Sequence, residues 1–380
     1  MRGPTDRIAR EGPVPFSVFM DAALYGPEGF FTAGHGAGRG GRDFVTSPEV
    51  GALFGALVGR ALDGWWHELG EPDPFVVVDA GAGRGRLAAD VLRTGPECAP
   101  ALRYVMVERS EALRGVQGDL VAVEPAEDAL GPIVADSDDD APKAVPGLGP
   151  IATSLAELPA GPFTGIVVAN ELLDNLPVDI VERGSQGWLE IRVAVGSSGF
   201  AEVVVPATTE LATAAEGVAA GANLPVGARL PVPVGIQGWF AACGRALERG
   251  RVAVLDYGAP AAELARRGQS GWLRTYRAHR RGGDPLAAPG RQDLTCDLPL
   301  EFLEHGAERV GFDLELSATQ ADWLRTLGID ELTGAAREGW AAGAATGDLA
   351  AVAARSAVHE AAALIDPSGL GAHHVLVFRC

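Results

Sequence analysis

The stretch Phe75-Val-Val-Val-Asp-Ala-Gly-Ala-Gly-Arg-Gly-Arg-Leu87 decides the fold, because in it an apolar run meets a glycine-rich turn and then the opening of a helix. Phe75 to Val78 are apolar, mostly β-branched and do not alternate with polar residues. That is the pattern of a strand buried on both faces of a parallel sheet. Gly81, Gly83 and Gly85 follow at two-residue spacing; lacking a Cβ, they let the backbone turn sharply and come close to a ligand. Leu87, Ala88, Val91 and Leu92 then recur at helical spacing. The turn therefore delivers the chain into a helix whose N-terminal amides face whatever the turn holds.

Two cofactor classes use such a turn. Dinucleotide folds read G-x-G-x-x-G, with a pyrophosphate on the helix N-terminus. Here the pattern is D-A-G-A-G-R-G-R, with an acid at the strand end. A carboxylate at Asp79 would repel a pyrophosphate but could hold a cation such as the ammonium of S-adenosylmethionine, directly or through water. A second acid, for ribose hydroxyls, is expected where the next strand closes. Tyr104-Val-Met-Val-Glu108 supplies it, and Glu108 stands 23 residues beyond Gly85. A tight turn with no ligand leaves both strand-end acids without a reason.

The theme recurs. Ile166 to Ala169 form an apolar run that stops in Asn170 and Glu171, and a short helix is expected before Pro177. Ligands of open parallel sheets bind beyond the carboxyl ends of the strands, so Asn170, Glu171 and Asp174 are placed to face a bound cofactor. Arg251-Val-Ala-Val-Leu-Asp-Tyr-Gly258 is a third buried strand ending in an acid, Asp256. Ile151 to Leu155 add a further strand, and His373-His-Val-Leu-Val-Phe378 a final one. The alternation Leu189/Ile191/Val193/Val195 and then Val203/Val205 predicts an antiparallel ribbon. Residues 206–234, rich in Ala, Gly and Pro, read as an irregular excursion, and a helix is expected near 238–249. Tyr276, His279, Asp293 and Thr295 fall in a segment that reads as loop, and 330–365 as an Ala-rich helical region.

At the N-terminal end, Pro15 to Tyr25 carry apolar residues at helical spacing and stop at Gly26-Pro27. A glycine-rich loop, 34–41, leads to Arg42-Asp-Phe-Val-Thr-Ser-Pro-Glu49. Ser47 suits an N-cap, with Pro48 at the first helical position and Glu49 in the first turn, of a helix running to about Leu69. Asp43 and Glu49, acids beside a flexible loop, suit a lid or substrate gate.

Composition sets limits. The 380 residues suffice for one large α/β domain with insertions or for two domains. A net charge of −19 opposes nucleic acid as a partner. No apolar run is long enough for a membrane span, and the N-terminus lacks the apolar core of a secretory signal, so a cytoplasmic protein is expected. Cys98, Cys243, Cys296 and Cys380 form no C-x-x-C, which argues against a zinc site and a disulfide framework. No metal is expected.

These residues carry a resemblance. F-x-x-F-M-D-A-A-L-Y-G-P (Phe16 to Pro27), D-F-V-T-S-P-E-V (Asp43 to Val50), D-A-G-A-G-R-G (Asp79 to Gly85), V-E-R-S-E-A-L-R (Val107 to Arg114), A-N-E-L-L-D-N-L-P-V (Ala169 to Val178), L-D-Y-G (Leu255 to Gly258), D-L-T (Asp293 to Thr295) and T-Q (Thr319, Gln320) resemble the MidA-like class I S-adenosylmethionine-dependent methyltransferases. The match runs over roughly residues 13–330 in the family's order. The resemblance implies an α/β Rossmann-like core with a seven-stranded, mostly parallel sheet. Segments are expected at 1–70 (helical cap and lid), 71–260 (cofactor core with an insertion at 185–235) and 261–380 (substrate region and the end of the core).

Asp79, Gly81, Gly83, Gly85 and Glu108, with Ser47 and Asn170, would bind S-adenosylmethionine. Glu171, with Asn170, Asp43 and Glu49, would serve the acceptor. The family's mitochondrial members methylate arginine on a partner subunit and assist complex I assembly, so an arginine side chain of a protein is the acceptor class implied. A small-molecule methyltransferase and a non-catalytic chaperone are the alternatives, and a homodimer is left open. The sequence departs from the family at Ala259, where an aromatic is usual, at Asp297, where a histidine is usual, and by an insertion at 121–148.

Overall fold

The computed structural model describes residue 8 and residues 10–35, 46–130, 147–197, 199–277, 280–343 and 348–380. Asp43, most of the glycine loop 34–41, the acidic run 136–140 and His279 lie outside them. The chain divides into two compact units. One comprises Met1–Phe44, Glu171–Gly244 and Asp256–Leu314; the other comprises Val45–Asn170, Arg245–Leu255 and Glu315–Cys380. Each of the expected segments 1–70, 71–260 and 261–380 contributes to both.

The second unit is built on seven strands, in chain order β1 (Phe75–Ala80), β2 (Leu102–Val107), β3 (Ile151–Leu155), β4 (Phe163–Asn170), β5 (Leu247–Asp256), β6 (Asp313–Thr319) and β7 (His374–Arg379). Across the sheet they run β6-β7-β5-β4-β1-β2-β3. β1 is parallel to β2 and to β4, β2 to β3, and β4 to β5. Every residue of β1 and β2 is buried, Asp79 and Arg103 included, and the others run apolar without alternation. Phe54 and Leu57 of the helix Ala52–Glu68, Leu87 of the helix Arg86–Thr94, and Val77, Tyr104, Ile166 and Val375 of the sheet share one core.

The strands approach closely where they start. A Cβ on Gly165 of β4 would stand 1.8 Å from the carbonyl oxygen of Val76 in β1, and one on Gly250 of β5 would stand 1.8 Å from that of Gly165.

The five-stranded sheet of the first unit is antiparallel. Trp188–Gly196 pairs with Val14–Pro15, with Asp179–Arg183 and with Gly199–Pro206, and Asp179–Arg183 pairs in turn with Arg229–Val232. The ribbon read from alternation is the hairpin 188–206. The helix Phe16–Tyr25 lies on this sheet, and the Ser17 N–H donates to Asp179 Oδ1 at 3.1 Å.

Three expectations need correction. Residues 206–234 are not an irregular excursion: they hold the helix Thr209–Ala219, whose Thr208 hydroxyl caps the N–H of Leu211, and the strand Arg229–Val232. Alanine, read there as filler, is the strongest helix former. The segment that read as loop pairs Leu273–Arg277 with Asp293–Cys296 and with Arg280–Arg281. Finally, Ser47 is not an N-cap and its helix does not run to Leu69. Thr46 takes the cap position, the helix Ser47–Val50 stops at Gly51, and a second helix starts at Ala52. The break leaves room for Glu360, whose Oε2 accepts the Leu53 N–H at 3.1 Å; a Cβ on Gly51 would stand 2.0 Å from the Glu360 carboxyl carbon. An acid at a helix N-terminus is favourable, and this one comes from the far end of the chain.

Gly165→Ala is expected to lower the unfolding free energy by about 3 kcal/mol or more, since the atom it strikes is backbone that cannot turn aside. Urea melts would measure it. An unchanged midpoint would contradict the close approach of β1 and β4.

Candidate active site

In the second unit, β1 ends in Asp79 and Ala80, and the chain turns through Gly81, Gly83 and Gly85, all three at positive φ. The N–H groups of Gly81 and Ala82 donate to the Val107 carbonyl at 2.8 and 3.0 Å, so the turn is laid over the end of β2. Glu108 follows β2 directly. Its Oε2 accepts the Gly83 N–H at 3.0 Å, and its Oε1 accepts the Ser110 N–H at 2.7 Å. Burial pushes this carboxyl up, while the bonds from Ser110 and Gly83 and the charge of Arg114 oppose the shift. Asp79 is buried, and the Tyr104 hydroxyl donates to its Oδ2 at 3.3 Å. Burial raises it to about 7, against the Tyr104 bond and with a small addition from the charge of Glu108.

The turn has the shape of a ligand cradle. A Cβ on Gly83 would meet nothing within 4 Å, whereas one on Gly85 would strike Met106 Sδ at 2.8 Å. Gly85 is thus required for packing, while Gly83 faces open space next to the clamped carboxylate of Glu108. Sequence reasoning passed over Gln117. This residue is fully buried; its Nε2 donates to the Gly83 carbonyl at 2.9 Å and its Oε1 accepts from Ser154 Oγ at 2.6 Å.

Asn170 closes β4 and is buried; one residue earlier, Ala169 pairs with Ala80 of β1. Glu171, the next residue, is partly exposed and takes φ of +51°, a left-handed conformation unusual without glycine. Ser47 is fully buried and donates to Gln320 Oε1 at 2.9 Å. Glu49 is partly exposed in the first turn of Ser47–Val50. Among the expected cofactor residues, then, direct bonding joins Gly83 and Glu108, and Asp79 lies beside them in charge; Ser47 bonds elsewhere.

The first unit holds a second polar network. Asp256, last residue of β5, accepts the N–H groups of Tyr257 (2.8 Å), Leu173 (2.8 Å) and Asp174 (3.2 Å). Asn175 Nδ2 donates to Asp293 Oδ1 and to the Leu294 carbonyl, both at 3.0 Å, and the Thr295 hydroxyl donates to Asp293 Oδ2 at 3.0 Å. The Arg274 guanidinium lies 4.6 Å from the centre of the Tyr257 ring and bonds Asp297, which Arg267 also bonds at 3.0 Å. Asp174 is buried and is pushed well up by burial first, then by the charges of Asp256, Asp293 and Glu171. Asp256 accepts three backbone N–H groups, which favour its charged form. Burial nevertheless raises Asp256 as well, to about 7, so the two carboxyls share a site that disfavours charge on both. The 3₁₀ turn Leu173–Asn175, expected only as a short helix, is the piece that ties the strand-end motifs together.

A family model described as "Putative S-adenosyl-L-methionine-dependent methyltransferase" matches residues 57–317. The chain belongs to this methyltransferase family. It is 28% identical over 324 residues to the mitochondrial "Protein arginine methyltransferase NDUFAF7 homolog" of Drosophila melanogaster, covering 80% of this chain and 69% of that one. The human protein arginine methyltransferase NDUFAF7 is 28% identical over 339 residues, covering 85% and 72%. Among solved structures, a Burkholderia thailandensis protein bound to S-adenosyl-homocysteine superposes with a TM-score of 0.77 at 26% identity, covering 99% of this chain and 90% of that one. The methyltransferase uses S-adenosylmethionine as its cofactor, and the open face of Gly83 beside Glu108 fits such a ligand. No helix among the described residues is long and apolar enough to cross a membrane.

Asp79 yields a pH prediction. Its carboxyl titrates near 4 when unfolded and near 7 when folded, so between these values the folded methyltransferase binds the extra proton. The stabilisation is full below about pH 4 and is lost as pH rises through about 7. Relative to wild type, Asp79→Asn should therefore gain stability across that window, by up to about 4 kcal/mol. Thermal melts of the two proteins at matched pH measure the difference; a difference independent of pH would refute the raised carboxyl.

Proposed function

We propose that this methyltransferase transfers the methyl group of S-adenosylmethionine to a guanidinium nitrogen of an arginine side chain in a protein partner. The relatives named above as protein arginine methyltransferases support that acceptor class. The observation that carries the reading is Glu171, a carboxylate in a strained left-handed conformation directly beyond the buried end of β4. Strain of this kind is kept where the surrounding fold holds a residue for a task.

Gly81, Gly83 and Gly85 would give the cofactor's amino-acid end close access to the backbone, Asp79 would face its ammonium, and Glu108 would take its ribose hydroxyls. When bound, the cofactor supplies an electrophilic methyl carbon. Glu171 makes paired hydrogen bonds to the guanidinium, which fix the attacking nitrogen, and accepts the proton that this nitrogen must lose. Asn170 stands at the buried strand end next to Glu171. Much of the rate then rests on holding the nitrogen in line with the methyl carbon and excluding water. The intact glycine cradle speaks against a purely structural chaperone.

Incubation with methyl-labelled cofactor and a cell extract tests the acceptor: label should enter protein and be recovered as methylarginine after hydrolysis. Label confined to small metabolites would replace the protein acceptor with a metabolite. Glu171→Gln should leave S-adenosylhomocysteine affinity within about twofold and lower turnover by roughly 10² or more, the scale of a positioned acid–base group. Near-normal methylation by that variant would reduce Glu171 to a cap of the following turn.

A further inference from the structure

We propose that Gln117 is a positioning residue for cofactor binding: it holds Gly83 in the one orientation in which the Gly83 amide clamps Glu108. Gly83 is gripped at both ends of its backbone. Its N–H donates to Glu108 Oε2 at 3.0 Å, and its carbonyl accepts from Gln117 Nε2 at 2.9 Å. The direction of the Gln117 amide follows from chemistry, because a carbonyl can only accept; the –NH₂ end must therefore face Gly83, and the oxygen end faces the Ser154 hydroxyl, 2.6 Å away. A relay thus runs from Ser154 on β3, through Gln117, to Gly83 and on to Glu108.

A wholly buried amide is costly unless its hydrogen bonds are made, and Gln117 makes one at each end. Its alkyl stem does different work: Cγ and Cβ lie 3.7 and 3.8 Å from where a Gly85 Cβ would stand. The stem packs the turn and the head orients it. Gly83, at φ +54° with open space on its Cβ side, has no side chain to fix its peptide. Glycine turns readily between conformations, so the ribose-side carboxylate keeps its aim only while the Gly83 carbonyl is anchored.

Head and stem can be separated. Gln117→Met keeps the stem and loses both bonds. Gln117→Glu keeps the stem and, when protonated, both bonds as well: its hydroxyl donates to Gly83 and its carbonyl accepts from Ser154. Once ionised, it sets a negative oxygen against the Gly83 carbonyl. Other charged groups stand on the elements around this site: Asp79 on β1, Arg84 in the glycine turn, Arg86 at the start of the helix Arg86–Thr94, Glu108 and Arg114 beyond β2, Asp119 on the same turn as Gln117, and Glu124, whose carbonyl bonds Thr153 of β3. All are common to wild type and variants, so the ratio of affinities isolates position 117.

The experiment is calorimetric binding of S-adenosylhomocysteine to the full chain between about pH 5.5 and pH 8.5, with ligand-free melting temperatures at each pH. Gln117→Met should bind about tenfold more weakly than wild type throughout, the scale of a lost buried hydrogen bond. Gln117→Glu should match wild type within about threefold at the acid end and fall tenfold or more behind at the alkaline end. Ser154→Ala, which leaves the backbone clamp in place, should cost about threefold. The proposal is overturned if all three variants bind as wild type does. It is also overturned if Gln117→Glu follows Gln117→Met at every pH, because recovery on protonation is the one result that loss of packing cannot produce.

Discussion

Glu108 is the residue on which the glycine turn of the second unit is hung. Its N–H donates to the Leu155 carbonyl of β3 at 3.0 Å, its carbonyl accepts from Arg114, and its two carboxylate oxygens take the amides of Gly83 and Ser110. One residue therefore joins the third strand, the glycine turn and the helix that follows β2. The arrangement works because β1, β2 and β3 are parallel and in a register that brings their carboxyl ends level. A carboxylate held by backbone amides keeps its direction without a rearrangement when a ligand arrives, and it is spared part of the cost of burial.

The acidic network of the other unit solves a different problem. Asp174, Asp256 and Asp293 stand close enough that full ionisation of all three would be costly. The fold answers with donors: Asp256 receives the backbone N–H groups of Tyr257, Leu173 and Asp174, and Asp293 receives Asn175 and Thr295, while burial still holds Asp174 and Asp256 above the usual carboxylate range. The result is a rigid support under the turn that follows Glu171. A similar economy of charge holds the sheet together where Arg251, buried in β5, meets Glu315 of β6 and Glu68 of the helix Ala52–Glu68. Removing one member of such a set leaves an uncompensated buried charge, which costs more than the pair contributes.

The first strand, the glycine turn and the acid at the next strand end could be read from sequence because their signals are local. The apolar run Phe75 to Val78, three glycines with their required left-handed turns, and Glu108 at the next strand end all lie within 34 consecutive residues. What escaped was long-range. The break at Gly51 is made by Glu360, Asn175 finds Asp293 across 118 residues, and the hydroxyl of Ser47 is taken by Gln320 across 273. Periodicity carries no information about such partners. Gln117 escaped for another reason: a glutamine reads as surface, and only the open Gly83 carbonyl gives it cause to be buried. In the segment 206–234, abundant alanine and glycine masked a helix whose only clear marker was Thr208 at its cap.

The two networks also differ in how they tolerate substitution. The cradle relies chiefly on backbone amides, held by the glycines, by Glu108 and by the amide of Gln117. The network under the Glu171 turn is built largely from side chains, so change at one position has to be answered at another. Asp297 illustrates this. It stands where the resemblance implies a histidine, and its buried carboxylate would be expensive alone. Here Arg274 and Arg267 both bond it, and Arg274 also lies over the Tyr257 ring, beside the strand-end acid Asp256. A histidine at that position would not satisfy two guanidinium groups, so the aspartate and its arginines form one unit of exchange. Change in this network is therefore expected to proceed by such coupled sets, whereas the glycine turn needs no such exchange between charged side chains.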